Sequence, residues 1–302
     1  MKLAPIALFV YNRLDHTRQT VASLQKNTLA TESDLFVFSD AAKSPEVEEK
    51  VKAVREFIKG ISGFRSITII ERELNLGLAK SIIDGVTRLC NEYGQVIVLE
   101  DDLVTSPYFL KFMNDGLEFY ENEEEVISIH GYIYPVKAEL PETFFLRGAD
   151  CWGWATWKRG WDIFEPDGKK LLTEIKGQNV DREFNYDGTF NLTDMLRSQV
   201  QGKIDSWAIR WYASAFLKNK LTLYPGKSLV FNIGNDSSGT HCGTTEMFSG
   251  KLFDQPLTIG RLAIEESLEG RTAVVNYFYA NRNSLVRRVI NIIERFWKKC
   301  MK

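Results

Sequence analysis

The sequence predicts an α/β protein, a mostly parallel sheet flanked by helices. Three observations predict it. Between Ala4 and Glu125, short apolar runs alternate with stretches whose apolar residues recur at helical spacing. The runs are apolar throughout instead of alternating with polar residues, which is how strands buried on both faces read. Each run also closes on polar residues, and the carboxyl ends of the strands are where open parallel sheets bind ligands.

The first run is A-P-I-A-L-F-V-Y, Ala4 to Tyr11, with Asn12 and Arg13 at its end. Asp15 is placed to cap the next helix, where Val21 and Leu24 are among the few apolar positions. D-L-F-V-F, Asp34 to Phe38, is the second strand, and Ser39 and Asp40 close it. Ser44-Pro45 opens a helix that carries Val47, Val51, Val54 and Phe57 at helical spacing and stops at Gly60. S-I-T-I-I, Ser66 to Ile70, is the third strand. The turn of N-L-G-L-A-K, centred on Asn75 and Gly77 and ending at Lys80, leads into a helix with Leu78, Ile82, Val86 and Leu89 on one face. Gly94 breaks that helix before Q-V-I-V-L-E-D-D, Gln95 to Asp102. Thr105, Ser106 and Pro107 then open a helix through Phe109, Phe112 and Leu117.

The fourth strand organises the rest. Val96 to Leu99 run straight into Glu100, Asp101 and Asp102. Desolvating a carboxylate costs several kcal/mol, so the acids are expected just past the buried part of the strand. Clustered there, they suit a hard divalent cation such as Mn2+ or Mg2+; a solvated acidic turn is the other reading of this stretch alone. Arg13, Asp40, Asn75 with Gly77, and the acid triplet each follow a different strand. One cation, one lone acid, one glycine turn and one acid cluster together suit a nucleoside diphosphate with a metal.

Beyond Glu125, Val126 to His130 alternates like a strand, and Phe144 to Leu146 is one more. Cys151 to Trp161 holds four of the seven tryptophans. Trp154, Trp157 and Trp161 fall at helical spacing, which predicts core packing. Trp152 or Trp154, beside Gly153, is a candidate platform for a sugar ring. Phe164 to Lys203 is polar and weakly periodic, as loops and short helices are. Ile204 to Trp207 leads into a helix through Ile209, Tyr212 and Phe216, and Leu221 to Phe231 carries strand-like pieces. Gly234 to Thr245 is rich in turn residues, a candidate lid. From Arg271 onward there are eight basic residues and one acid, with Leu285, Val289, Ile292, Ile293, Phe296 and Trp297 on a shared apolar face. That is a terminal basic amphipathic helix, suited to peripheral contact with an anionic membrane or to a partner subunit.

The totals exclude some classes. With 302 residues, 44% hydrophobic and 26% charged, the chain has an ordinary globular composition. A net charge of −2 gives no case for binding nucleic acid. Cys90, Cys151, Cys242 and Cys300 are widely spaced, which suggests neither a zinc site nor a disulfide framework. No small-x-small cleavage site follows the first apolar run, and no apolar stretch nears the ~20 residues of a membrane span. A cytoplasmic protein, peripheral at most to the inner face of the membrane, is expected.

Taken together, P-I-A-L-F-V-Y-N-R, F-V-F-S-D, N-L-G-L-A-K and V-I-V-L-E-D-D-L-V-T-S-P-Y-F-L resemble the nucleotide-sugar half of a GT-A (Rossmann-like) glycosyltransferase. The E-D-D form is similar to N-acetylglucosaminyltransferase I and its bacterial relatives, and W-G-W-A-T-W resembles transferases that build bacterial surface polysaccharides. The resemblance implies a nucleotide-sugar-binding half over residues 1–135, an acceptor-binding half over 136–260 and the basic tail over 261–302. It implies a UDP-sugar donor, with UDP-GlcNAc or a similar hexose suggested, and a saccharide or lipid-linked saccharide acceptor. Asp102 then corresponds to the metal-binding carboxylate, Asp101 to a residue near the ribose or donor sugar, and Glu100 to a supporting acid. Asp40 corresponds to a base-reading acid and Arg13 to a diphosphate or nucleotide contact; Asn75, Gly77 and Lys80 belong to the nucleotide-sugar site. Asp205, in I-D-S-W, stands where similar enzymes carry an acid-acid-Trp segment and would be the catalytic base of an inverting transfer. His241 matches a late loop residue that closes on the diphosphate or the metal.

Two other readings remain. A sugar-phosphate nucleotidyltransferase shares the sheet and metal but needs a glycine-rich loop after the first strand, where this chain has Y-N-R-L-D-H. A non-catalytic sugar-binding protein of the same fold has no reason to keep unpaired clustered acids. A dehydrogenase lacks its G-x-G-x-x-G.

Overall fold

The computed structural model describes residues 3–234, 236 and 247–282. Its strands and helices follow one another as β1 (Ile6–Val10), α1 (Leu14–Leu24), β2 (Asp34–Ser39), α2 (Glu48–Lys59), β3 (Ser66–Glu71), α3 (Leu78–Tyr93) and β4 (Gln95–Glu100). Then come β5 (Leu103–Thr105), α4 (Phe109–Phe119), β6 (Val126–His130), β7 (Thr143–Arg147) and β8 (Trp154–Trp157). Four helices follow, α5 (Lys158–Trp161), α6 (Gly168–Gly177), α7 (Asp181–Phe184) and α8 (Leu192–Val200). Last are α9 (Trp207–Leu217), β9 (Leu221–Pro225), β10 (Val230–Asn232) and a helix over residues 268–282.

Eight strands form one sheet in the order β3-β2-β1-β4-β8-β6-β9-β7. The β3-β2-β1-β4 half is parallel throughout, and β6 and β9 are parallel to each other. β8 runs antiparallel between β4 and β6, and β7 antiparallel at the edge beside β9. This is the helix-flanked, mostly parallel α/β sheet expected, and it is consistent with a Rossmann-like GT-A architecture. β5 and β10 form a separate antiparallel pair just past the acid triplet.

The continuous apolar runs have their reason in two packed faces. Ile6, Leu8 and Val10 of β1 join Val21 and Leu24 of α1, Val54 and Ile58 of α2, and Phe109 and Phe112 of α4. Ala7 and Phe9 point the other way, into Ile82, Val86 and Leu89 of α3 and Trp207 and Trp211 of α9. Each such side chain contributes roughly 1.5–3 kcal/mol relative to exposure. A third core gathers Phe184, Leu196, Tyr212, Phe216 and Tyr224 with Phe278 of the 268–282 helix. Gly94, at φ +81°, ends α3 in the left-handed region and turns the chain straight into β4.

Three local expectations are corrected. Trp154 to Trp157 form strand β8, and only Lys158–Trp161 is helical. Alternation on the strand sends Trp154 into the α3/α9 face and Ala155 and Trp157 into the other. Asp15 lies inside the first turn of α1, whose N-cap is Arg13. Ser44-Pro45 opens a 3-10 turn, and α2 starts at Glu48. The apolar face expected on residues 285–297 lies outside the described residues. No helix among those described is long and apolar enough to cross a membrane.

Candidate active site at the carboxyl rim of the sheet

β1 and β4 are adjacent and parallel, with Phe9 beside Glu100, so the residues after each strand meet at one rim. Arg13 forms ion pairs there with both Asp101 and Asp102, the latter at 2.8 Å. Asp101 and Asp102 are buried, 5% and 9% exposed, and Glu100 is half-buried with no ion-pair partner among the described residues. Burial, joined by the charges of the neighbouring acids, pushes Glu100 well above the usual carboxylate range. Burial also pushes Asp101 up, against the opposing pull of Arg13. Burial alone would lower the Arg13 pKa; Asp101 and Asp102 more than reverse it, so the guanidinium stays charged. One cation thus faces three acids, and the rim holds a surplus of negative charge.

The segment after β10 crosses this rim. The Ile233 N–H donates to the Asp102 carbonyl at 2.9 Å. Gly234 passes so close that a Cβ would overlap the Asp102 carboxylate and stand 3.0 Å from Arg13 Nη1. His16 Nε2, on the first turn of α1, lies 3.2 Å from Asp236 Oδ2. Most of the 234–245 stretch, a candidate lid by sequence, lies outside the described residues; His16 and Asp236 carry no motif that would mark them. His241 lies outside the described residues.

Asp40 corrects an expectation. Its Oδ1 accepts from the N–H groups of Ala41 and Leu76, both at 2.9 Å, and its Oδ2 from Gly77 N–H at 2.9 Å and Asn75 Nδ2 at 3.1 Å. Asn75 Nδ2 also donates to the Ala41 carbonyl at 2.6 Å. The carboxylate is buried and both oxygens are spent on its own chain, so it is not presented to a nucleotide base. It shapes the Asn75–Gly77 turn, and Gly77, at φ +74°, delivers the N-terminus of α3 to the rim. Lys80 is exposed on the first turn of that helix.

Trp154 is a second correction. It is fully buried, with Trp207, Trp211 and Trp161 at 5.4, 5.7 and 5.8 Å between ring centroids, and offers no face to a sugar. Trp152 is half-buried, edge-to-face with Tyr132 at 4.8 Å and Phe248 at 5.6 Å. Its backbone N–H donates to His130 Nε2 at 3.1 Å. Asp205 is 62% exposed just before α9, which Ser206 caps by accepting from Ile209 N–H. It lies 3.6 Å from Arg210, and its Oδ2 is 3.9 Å from where a Gly77 Cβ would stand. A hollow lined by Phe164, Leu171 and Ser214 lies toward the other end of α9, away from the rim.

Among the described residues, no three or more His, Cys, Asp or Glu side chains are arranged to hold a metal ion. The donor set still fits a hard cation in one respect. Asp102 and its neighbours are oxygen donors with more negative charge than Arg13 offsets. Such a site supplies one or two carboxylates and leaves the remaining positions to phosphate oxygens and water.

No protein-family model matches the chain, and no curated protein matches it. Solved structures overlap with it weakly. A mannosyltransferase from Pyrobaculum calidifontis, in complex with GDP-Man and Mn2+, is 12% identical with a TM-score of 0.33, covering 44% of this chain and 36% of that one. Residues 1–349 of S. aureus TarS are 13% identical with a TM-score of 0.34, covering 52% and 48%. A UDP-glucose pyrophosphorylase complexed with UDP-glucose is 12% identical with a TM-score of 0.33, covering 54% and 79%. The chain therefore spans less than half the length of the first two, and overlaps this weak carry no argument about function.

Proposed function

We propose that the chain is a nucleotide-sugar-dependent glycosyltransferase that moves a sugar from a UDP-sugar to a saccharide acceptor with inversion. The observation that carries this is the meeting of Arg13 with Asp101 and Asp102 at the carboxyl rim, where an acid surplus stands beside a cation suited to phosphate. Arg13 would exchange its carboxylate partners for the donor's diphosphate, as a guanidinium fork readily does. Asp102 would hold Mn2+ or Mg2+, with Asp101 toward the ribose or donor sugar and Glu100 in support. When bound, the divalent cation supplies charge neutralisation for a departing diphosphate. Asn75, Gly77 and Lys80 would meet the nucleotide. Asp205 would accept the proton of the acceptor hydroxyl as that oxygen bonds the anomeric carbon and the bond to the diphosphate breaks. Trp152 would support a sugar ring.

Calorimetric titration with UDP, with and without Mn2+, tests the reading. The wild-type chain should bind UDP at least tenfold more tightly with Mn2+, and Asp102→Ala should lose that gain. A wild-type chain indifferent to Mn2+ overturns it. One observation favours a second reading, a non-catalytic protein of the same fold: Arg13 already partners two of the acids. That reading predicts the indifferent outcome.

A further inference from the structure

A carboxylate that no motif marked stands near the rim. Asp150 lies in the connection from β7 to β8, half-buried. Its Oδ2 accepts from the Tyr134 hydroxyl at 2.9 Å and its Oδ1 from the Cys151 N–H at 2.9 Å. The Cys151 thiol also hydrogen-bonds this carboxylate, and because an ionised carboxylate offers about four lone-pair sites, one is left for a ligand. We propose that Asp150 and Trp152 form the acceptor subsite, Asp150 accepting a hydrogen bond from a hydroxyl of a neutral hexopyranoside and Trp152 packing against its ring. The assignment rests on the transferase reading above and deepens it.

Placement is the first argument. β4 and β8 pair antiparallel, and Val98 stands opposite Trp154. The two strands part at that end, so the residues after Val98, which lead to Glu100, and those before Trp154, which include Trp152, leave the pair side by side. Gly153 holds the connection tight to this spot; a Cβ there would lie 3.4 Å from Leu99 and closer still to Val230. The Asp150–Trp152 corner therefore flanks the acid triplet on the side away from β1, Arg13 and the Asn75–Gly77 turn. A donor spread along the β1–β4 rim would bring its sugar end toward that corner. Electrostatics agree: after burial, the charges of Asp150, Glu100 and Asp102 all act to raise the Cys151 thiol.

Chemistry is the second. Sugar sites combine an aromatic surface for the apolar ring face with fixed acceptors for the hydroxyls. Tyr132 and Phe248 hold the Trp152 ring edge-to-face. The Tyr134 ring, which anchors Asp150, is itself wedged against Phe278 at 4.8 Å. A carboxylate so braced loses little freedom when a ligand binds, which favours affinity. Asp205, by contrast, is 62% exposed beside the Asn75–Gly77 turn.

The test uses saturation-transfer NMR on the full chain with UDP and Mg2+. The probe is an equimolar mixture of the methyl glycosides of glucose, galactose, mannose and N-acetylglucosamine. At least one glycoside should receive saturation from the wild type. Its signal should fall at least fivefold in Asp150→Asn and in Trp152→Phe, with UDP affinity within twofold of wild type. Tyr134→Phe keeps the carboxylate and should lose less than threefold. Should Asp150→Asn not fold, as judged by circular dichroism, Trp152→Phe decides by the same criterion. Wild-type saccharide signal in a folded Asp150→Asn chain overturns the assignment, as does a wild-type chain that binds UDP but no glycoside. Binding of neither overturns the donor reading as well.

Discussion

Asp40 spends its carboxylate on four donors from its own chain, three of them backbone N–H groups. Asp40→Asn would set an amide NH2 against those donors, and leaving buried N–H groups unmatched costs about 1–3 kcal/mol. Stability should drop by that much in urea melts. Affinities for UDP, CDP and GDP should fall by one common factor, because both carboxylate oxygens are engaged by the chain's own donors and the substitution acts through the shape of the turn. A loss confined to UDP would instead make Asp40 a reader of the base. Arg13 makes the complementary case. In Arg13→Gln, Asp101 and Asp102 lose their cation, and breaking a buried pair costs about 3–5 kcal/mol before solvent screening reduces it. The melting temperature of the metal-free variant should fall, and added Mn2+ should raise it more than it raises the wild type. An equal Mn2+ response in both chains would mean that the acids do not compete for cations. The acids and Arg13 were legible in the sequence because each follows an obvious strand. The engagement of Asp40 was not, because its donors at Leu76 and Gly77 follow a different strand.

At the scale of elements, α3 is the piece that sets the rim. Gly85 in its middle lies so close to β1 that a Cβ would stand 2.7 Å from the Phe9 ring and 3.1 Å from Phe38. Gly85→Ala gains about 1 kcal/mol of helix propensity but overpacks the seam, which typically costs 1–3 kcal/mol. The clash should win, lowering the urea midpoint. Because α3 starts at Gly77, UDP affinity should fall too, although residue 85 is two turns from the rim. A stabilised variant with unchanged affinity would show that α3 shifts freely against the sheet. The parallel half of the sheet could be read from sequence, since strands buried on both faces leave unbroken apolar runs. β8 could not. Trp154, Trp157 and Trp161 satisfy helical spacing, yet the strand ends and a short helix begins within the same eight residues. β5, three residues long, shows itself only through its partner β10.

Over the whole molecule, the three cores are joined through the sheet, and His130 of β6 is buried among them with no exposed surface. Its Nε2 accepts from the Trp152 N–H, which leaves the ring proton on Nδ1, and Tyr224 packs on it at 4.9 Å. Burial depresses its pKa below the usual histidine value, with the nearby Asp150 charge opposing only in part. The sign of the consequence follows from proton counting. Below pH ~6.5 the unfolded chain takes up a proton that the folded chain refuses, so stability is lost as pH falls through that range. The loss amounts to at most about 1.4 kcal/mol per pH unit. Glu100 and Asp101, with raised pKa values, act in the opposite sense and lose stability as pH rises. The net pH dependence therefore mixes both signs, and a variant is needed to separate them. His130→Gln keeps an acceptor for Trp152 and cannot take a proton. Urea unfolding at pH 7.5 and pH 5.5 should show a smaller drop in stability for the variant than for the wild type. Equal drops would mean that the histidine is charged inside the fold, with the Asp150 carboxylate and the backbone at Tyr132 the groups that favour its charge.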